Sequence, residues 1–374
     1  MTGLAPLPRT GRERFLAALR AGPQDRPPVW FMRQAGRHLP GYRALRQRAS
    51  FLDVCRKPDI CRIASIEPLH RYAVDAVIVF NDILIPLQDM GMSLDFTPAP
   101  KFERLLATTD EVAALADPSY DQSTDVARCL SALRREAGGG VAMLGFIGAP
   151  FTVAAFAIAG AGTGKAPLPA SVQAKHSVFA AMQQRLVPVL AEYARIQAQA
   201  GADTIQIFES LAERLSPEAY ERVGLPSLLA TIAAVRDRCP QTPIIVFGRG
   251  LQQALPQIAS HGVALGIEPG LRLADVRSTL RRHGLVSPLQ GNLDPTVLNG
   301  SPIEAAAAAE ALLTGWRDIV PDPSLADALG PTGWVFNLGH GVPADANPDS
   351  VQAVMDTVRG FDFGRIETEQ EVAS

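Results

Sequence analysis

Val141-Ala142-Met143-Leu144-Gly145-Phe146-Ile147-Gly148-Ala149-Pro150-Phe151-Thr152-Val153-Ala154-Ala155-Phe156-Ala157-Ile158-Ala159-Gly160-Ala161-Gly162-Thr163-Gly164 contains no charged residue. A run of that length could cross a bilayer as a helix. Its internal punctuation argues against a single span. Gly145, Gly148 and Pro150 interrupt it, and Thr152 stands at an expected helix start. The stretch reads as a buried strand over 141–147, a turn and a buried helix. A strand that is apolar at successive positions is covered on both faces, as parallel strands flanked by helices are.

The same alternation recurs along the chain. Strand-like runs stand at 28–31, 76–80, 141–147, 203–208, 243–247, 263–267, 286–289 and 334–338, eight in all. Between and after them lie helix-like segments, among them 217–238 with Ser216 as N-cap, 274–282, 303–313 and 350–359. Eight strand–helix units predict an α/β fold, a (β/α)8 TIM barrel in one domain spanning 1–374 with its core at about 11–360. The rival, an open doubly wound sheet, usually carries a glycine-rich phosphate loop after its first strand. Here the first run leads into Arg33-Gln34-Ala35-Gly36-Arg37 instead. Ala161-Gly162-Thr163-Gly164-Lys165 has neither the spacing nor the following Ser or Thr of a P-loop.

A barrel of this kind gathers its active site at the C-terminal strand ends. Those ends are rich in polar residues and glycine: Arg33 and Arg37, Asn81-Asp82, Gly148-Ala149-Pro150, Glu209-Ser210, Gly248-Arg249-Gly250, Glu268, Gly291-Asn292 and Gly339-His340-Gly341.

Composition narrows the function. Of 374 residues, 47% are hydrophobic and 20% charged, and the net charge is -3. No global basic field recruits nucleic acid or an anionic membrane, so a polyanionic ligand would need a local cluster. Cys55, Cys61, Cys129 and Cys239 form no Cys-x-x-Cys pair, and they are expected to be reduced thiols of a cytoplasmic protein. Residues 1–14 carry no apolar h-region, so no signal peptide is expected. Six histidines without a His-x-x-x-His or His-x-Cys pair give no zinc signature.

The local cluster is in the first loop. Between Trp30 and Ser50 there is no acid, but there are Arg33, Arg37, Arg43, Arg46 and Arg48, with His38. Arginine forks bind carboxylates through paired N–H···O bonds at any relevant pH. Arg33 and Arg37, at a strand end, read as ligand-binding. Arg43 and Arg48 read as a solvated helix face. Asp82 reads equally as a rim carboxylate or as the N-cap of a following helix. His340 lies between glycines that would let the backbone turn tightly and leave the imidazole unobstructed; a structural loop histidine is the alternative. Ser210 has no Gly-x-Ser-x-Gly elbow, so a hydrogen-bonding role suits it better than a nucleophilic one.

The segment Pro28-Val29-Trp30-Phe31-Met32-Arg33-Gln34-Ala35-Gly36-Arg37-His38-Leu39-Pro40 closely resembles the signature of the uroporphyrinogen decarboxylase family. Phe80-Asn81-Asp82-Ile83-Leu84, Gly148-Ala149-Pro150-Phe151-Thr152, Gln290-Gly291-Asn292-Leu293-Asp294-Pro295 and Phe336-Asn337-Leu338-Gly339-His340-Gly341 follow in the same order, so the resemblance covers about residues 11–360. It implies a homodimeric barrel, without metal or organic cofactor, that converts the acetate side chains of uroporphyrinogen III to methyls in haem biosynthesis. It implies that Asp82 faces the pyrrole N–H groups. Arg33 and Arg37 hold substrate carboxylates, one of them helping to protonate the ring carbon. Gln34, Ala35 and Gly36 line the site, Arg46 lies near the substrate, and Ser210 and His340 contact its acid side chains.

Three departures accompany the resemblance. Phe156 stands where the family usually has Tyr, Glu268-Pro269 where it has Asp-Trp, and Thr97-Pro98-Ala99-Pro100 where a glycine-rich turn is expected. They keep a tetrapyrrole-binding protein without turnover, or with altered specificity, as an alternative. A corrinoid-dependent methyltransferase is the more distant one.

Overall fold

The structure, a computed structural model, describes residues 10–22, 24–96, 100–161, 168–319 and 333–362. The P-loop-like glycines at 162–164 with Lys165, and the 97–99 part of the expected turn, lie outside them.

The described strands are β1 (Ala76–Ile78), β2 (Leu94–Phe96), β3 (Pro100–Phe102), β4 (Ala142–Gly148), β5 (Thr204–Glu209), β6 (Ile244–Gly248), β7 (Ala264–Gly266), β8 (Leu289–Gln290) and β9 (Trp334–Val335). Seven form one sheet in the order β1-β4-β5-β6-β7-β8-β9, parallel at every pairing. The β2–β3 pair is a separate antiparallel hairpin, which the sequence reading did not anticipate. Helices cross between successive sheet strands, so the sheet curls as parallel βα units require.

The 28–31 run takes the eighth place with very few bonds. Val29 bridges Phe336 in parallel. Phe336 N donates to Pro28 O (2.9 Å), and Asp75 N on the other side donates to Val29 O (2.9 Å). These contacts bring the two edges of the sheet together, giving the TIM-barrel-like fold expected. Two side chains complete the seam. Below, Asp75 accepts from Val29 N (2.8 Å) and pairs with Arg14 (2.9 Å) and Arg26 (2.7 Å). Above, Gln34 Oε1 accepts from Phe31 N (3.0 Å) while its Nε2 donates to Ala76 O (3.0 Å). The Gln34 amide thus stands where a direct ladder bond between neighbouring strands would be.

The barrel interior is filled. Trp30 Nε1 donates to Gln290 Oε1 (3.1 Å), Gln290 Nε2 to Gln206 Oε1 (3.0 Å), and Gln206 Nε2 approaches Met32 Sδ (3.5 Å). This buried polar chain joins the first run to β8 and β5 and forms a floor beneath the strand ends.

The opening stretch folds as read. Every residue of β4 is buried, and a helix follows over Pro150–Ala159, closed by Gly160 at φ 61°. No helix of the described residues is long and apolar enough to cross a membrane. Thr152 does not cap that helix. Its hydroxyl bonds Glu209 and accepts from Ser210 N (3.0 Å) and Leu211 N (3.2 Å), clamping the helix to the end of β5.

Segment 217–238 is two helices, Pro217–Val223 and Leu225–Arg238, with Ser216 capping the first as expected. Pro226 lacks an N–H, and its ring would strike the Arg222 carbonyl of a continuous helix. The other three segments are Leu273–Arg282, Pro302–Ile319 and Pro348–Gly360.

Replacing Gln34 with Ala leaves Phe31 N and Ala76 O unpaired in the interior. Gln34→Ala is expected to lower the unfolding free energy by about 2 kcal/mol or more, measured by urea denaturation. An unchanged midpoint and slope would show that the seam does not need the amide.

Candidate functional site

Arg33 leaves the first run with φ 61°, a left-handed conformation rare for a side chain of its size. Such a backbone costs on the order of 1 kcal/mol or more and persists where neighbours fix it. Met32 N donates to Asn337 Oδ1 (3.1 Å), Gln34 N to Phe31 O and Val342 N to Met32 O (2.8 Å). The Arg33 stem then crosses Gly341, where a Cβ would lie 2.4 Å from Arg33 Cδ. A Cβ on Gly339 would lie 2.4 Å from Pro269 N. Neither glycine has a positive φ. The glycines around His340 are therefore required by close approach, not by the tight turn expected from sequence.

Asp82 follows β1 in the loop leading to the helix Ile85–Asp89. Its Oδ1 accepts from Leu84 N (2.9 Å), a local turn bond, while the residue capping that helix is Leu84. Its second oxygen has no protein partner among the described residues. Burial pushes the carboxyl up to about 6, against the lowering effects of the Leu84 N–H and Arg33.

Arg33 reaches solvent but is ringed by protein, and that enclosure lowers its pKa. Arg249 lowers it further, and Asp82 opposes both. His340 is held down to about 4 by burial, then by Arg33 and Arg249, so its imidazole is neutral near pH 7. Arg33, Asp82, Arg249 and His340 thus share one electrostatic environment at the C-terminal strand ends.

The rest of the arginine loop divides. Arg37 is exposed, and no described carboxylate pairs with it. Arg43, read as a solvated face, donates to the carbonyls of Arg37 (2.9 Å) and His38 (2.9 Å) and so braces the loop. Arg48 is exposed. Arg46 bonds the Ala49 carbonyl and lies 5.9 Å from the Phe51 ring centre, folded against its own helix end. Gln34 is buried, with its amide engaged in the barrel seam. Ala35 is buried too, and a Cβ on Gly36 would lie 2.8 Å from Arg33 O, so the loop is tight there. Ser210 and Phe156 are half-buried, Ser210 after β5 and Phe156 on the helix after β4.

Two of the strand-end residues, Glu209 and Arg249, had no role assigned from sequence. Glu209 ends β5 wholly buried, accepting from Thr152 and from Tyr220 OH (3.1 Å). Burial raises its carboxyl to about 7, against both hydroxyls. Arg249 follows β6 and pairs with Glu213. Its signal was available, an arginine between two glycines at a strand end.

A groove of about 450 Å³, lined by residues including Gln183, Pro188, Arg222 and Pro226, lies outside the barrel between the helices His176–Gln199 and Leu225–Arg238. It holds none of the site residues above. Among the described residues, no group of three or more His, Cys, Asp or Glu is placed to hold a metal ion.

Comparisons with known proteins bear on family and fold. The family model "Uroporphyrinogen decarboxylase (URO-D)" matches residues 10–361. The uroporphyrinogen decarboxylase of Trichlorobacter lovleyi is 36% identical over 350 residues, covering 92% of this chain and 97% of the relative. That of Geobacter sulfurreducens is 35% identical over 348 residues, covering 92% and 97%. Among solved structures, a methyltransferase from Methanosarcina mazei superposes with a TM-score of 0.72 at 19% identity, over 94% of this chain and 98% of that one. A B12-independent methionine synthase from Shewanella sp. W3-18-1 reaches 0.51 at 10% identity, over 81% and 87%. These two likenesses are of fold alone.

Held down by burial and then by Arg33 and Arg249, His340 should titrate near 4 and stay neutral from pH 8 down to about 5.5 in an NMR titration. Arg33→Gln should move the titration upward, since removing a cation favours the imidazolium. A His340 that titrates at 6.5 in the unaltered protein would disprove this placement.

Proposed function

The chain belongs to the uroporphyrinogen decarboxylase family, and on that footing we propose that it decarboxylates the four acetate side chains of uroporphyrinogen III to give coproporphyrinogen III. The observation that carries the reading is Asp82 opposed to Arg33 at the barrel mouth, with one carboxylate oxygen unclaimed.

Each half of the substrate has a counterpart. The acid side chains suit Arg33 and Arg37, with His340 and Ser210 as neutral hydrogen-bonding groups. The central pyrrole N–H groups suit the free oxygen of Asp82. Protonation of the ring carbon bearing the acetate turns that pyrrole into a cation. The electron pair of the carboxylate's C–C bond then flows into the ring, CO2 leaves, and an exocyclic methylene remains. A second proton adds to the methylene carbon to make the methyl, and the first leaves the ring. The net change per acetate is one proton taken up and one CO2 lost.

Asp82 must be ionised to stabilise the cation. At about 4 Å and an effective dielectric near 20, one such pair contributes about 4 kcal/mol, roughly a thousandfold in rate. Positioning and desolvation of the scissile carboxylate account for the remainder. Phe156 supplies no hydroxyl to this arrangement, and that favours a second reading, a tetrapyrrole-binding protein that does not turn over.

The test is a product time-course with reduced substrate and purified protein. Stepwise CO2 release ending at coproporphyrinogen is expected, and tight binding without any CO2 would leave only the second reading. Asp82→Asn should lower kcat by roughly a thousandfold. In the unaltered protein kcat/KM should fall about tenfold per unit as pH drops below about 6, because protonation removes the anion. A profile flat from pH 7 to 5, or an Asp82→Asn variant of normal rate, would refute the role given to Asp82.

A further inference from the structure

A macrocycle with acid side chains around its whole rim needs cations on more than one wall of its site. Arg33 and Arg37 both belong to a single loop, at the end of the first run. Counting round the barrel, that run is followed by β1, β4, β5 and β6, so β6 stands four places away in either direction. Arg249 directly follows β6. Each of the two arginines weighs on the same imidazole, that of His340, and Arg249 weighs on Arg33 itself. Arg249 and Arg33 therefore stand at the ends of opposite strands and share the electrostatic surroundings of His340.

Arg249 is held there by an acid. Gly250, at φ 76°, packs so tightly that a Cβ on it would lie 2.6 Å from Glu213 Cα. That approach sets the Arg249 guanidinium against the Glu213 carboxylate. Glu268, at the end of β7, accepts from Gly250 N (3.1 Å) and fixes the same loop from the other side. The Arg249 and Glu213 side chains are 37% and 35% exposed. A pair so open to water is weak, and a ligand carboxylate can exchange into it.

We propose that Arg249 is a second carboxylate clamp, opposite Arg33 across the barrel mouth, and that Glu213 is its resident counter-ion, displaced when a substrate carboxylate arrives. This rests on the tetrapyrrole reading above and adds a specificity element to it. Glu213 opposes binding of the most highly carboxylated ligand, so its charge sets how strongly the site prefers substrate over a product with fewer acid groups.

The experiment is a fluorescence titration of the protein with uroporphyrin, the oxidised and unreactive octacarboxylate. It compares the unaltered chain with Arg33→Gln, Arg249→Gln, Arg249→Lys, Glu213→Gln and the double variant Glu213→Gln/Arg249→Gln. Glu213→Gln should tighten binding roughly fivefold, and Arg249→Gln should weaken it roughly tenfold. In the double variant the tightening should vanish. In turnover, Glu213→Gln should lower KM with kcat little changed. A pair that only braced the loop would make both single variants weaker, so the opposite signs are decisive. Weaker or unchanged binding by Glu213→Gln, or unchanged binding by Arg249→Gln, overturns the proposal. Should Arg249→Gln fail to melt cooperatively, Arg249→Lys decides: a severalfold weakening is expected from loss of the fork, and none would overturn it. If the unaltered chain binds neither uroporphyrin nor, under reducing conditions, uroporphyrinogen, or if Arg33→Gln binds equally well, the tetrapyrrole reading falls as well. If Arg33→Gln alone loses binding, only the assignment of Arg249 and Glu213 falls.

Discussion

The amide of Gln34 joins Phe31 N to Ala76 O where the first run meets β1 without a ladder of its own. At the other end of the same seam, Asp75 accepts from Val29 N while holding Arg14 and Arg26. One closure uses a neutral amide and the other a buried ionic cluster. Removing one member of such a cluster typically costs about 3–5 kcal/mol, because an uncompensated charge remains. The first run is therefore fixed by these side chains together with a few backbone bonds to Phe336 and Asp75. The loop carrying Arg33 and Arg37 grows directly from that fixed point. Gln34 lies between the two arginines in sequence, so the closure of the fold and the direction of Arg33 are set within one short segment.

Charge at the mouth is arranged so that the resting site is poorly compensated. Asp82 is raised to about 6, His340 is held at about 4, and Arg33 is lowered by enclosure and by Arg249. Enclosed sites with perturbed groups of both signs are where ligands are expected. For Asp82 the linkage is explicit. Its folded value lies above the unfolded value of 3.8, so the folded chain is most favoured below 3.8 and loses stability as pH rises through about 6. Two pH units correspond to about 3 kcal/mol at most. A ligand that offers N–H donors to the free oxygen of Asp82 would restore that energy on binding. Glu209 has a different position: both its oxygens are taken by hydroxyls, and it ties the helix after β4 to the segment after β5.

The backbone likeness to a methyltransferase and to a methionine synthase extends over most of the chain at low identity. A barrel offers strand ends on which different chemistries can be built, and the residues at those ends decide which one is present. Here they are arginines, one partly free carboxylate and a neutral histidine. Phe156 lies half-buried on the helix after β4 and offers these strand ends no hydroxyl.

Some of this was legible in the chain itself. Periodicity and the breaks at Gly148 and Pro150 gave the βα repeat, and the acid-free interval from Trp30 to Ser50 singled out the loop of Arg33 and Arg37 as a candidate for carboxylate binding. Those signals are local, carried by residues adjacent in sequence. The 286–289 run was placed three residues early against β8 (Leu289–Gln290), and 217–238 was read as one helix, because register and a proline break depend on neighbours that sequence does not show. What only the tertiary structure decided is contact between distant segments. Arg33 crosses Gly341, Gln34 bonds Ala76, Arg43 braces the Arg37 carbonyl, and Arg249 meets Glu213. A linear reading assigns each arginine a charge but not a direction. Direction comes from closure of the barrel, which brings the ends of the first run, β6 and β9 to one mouth.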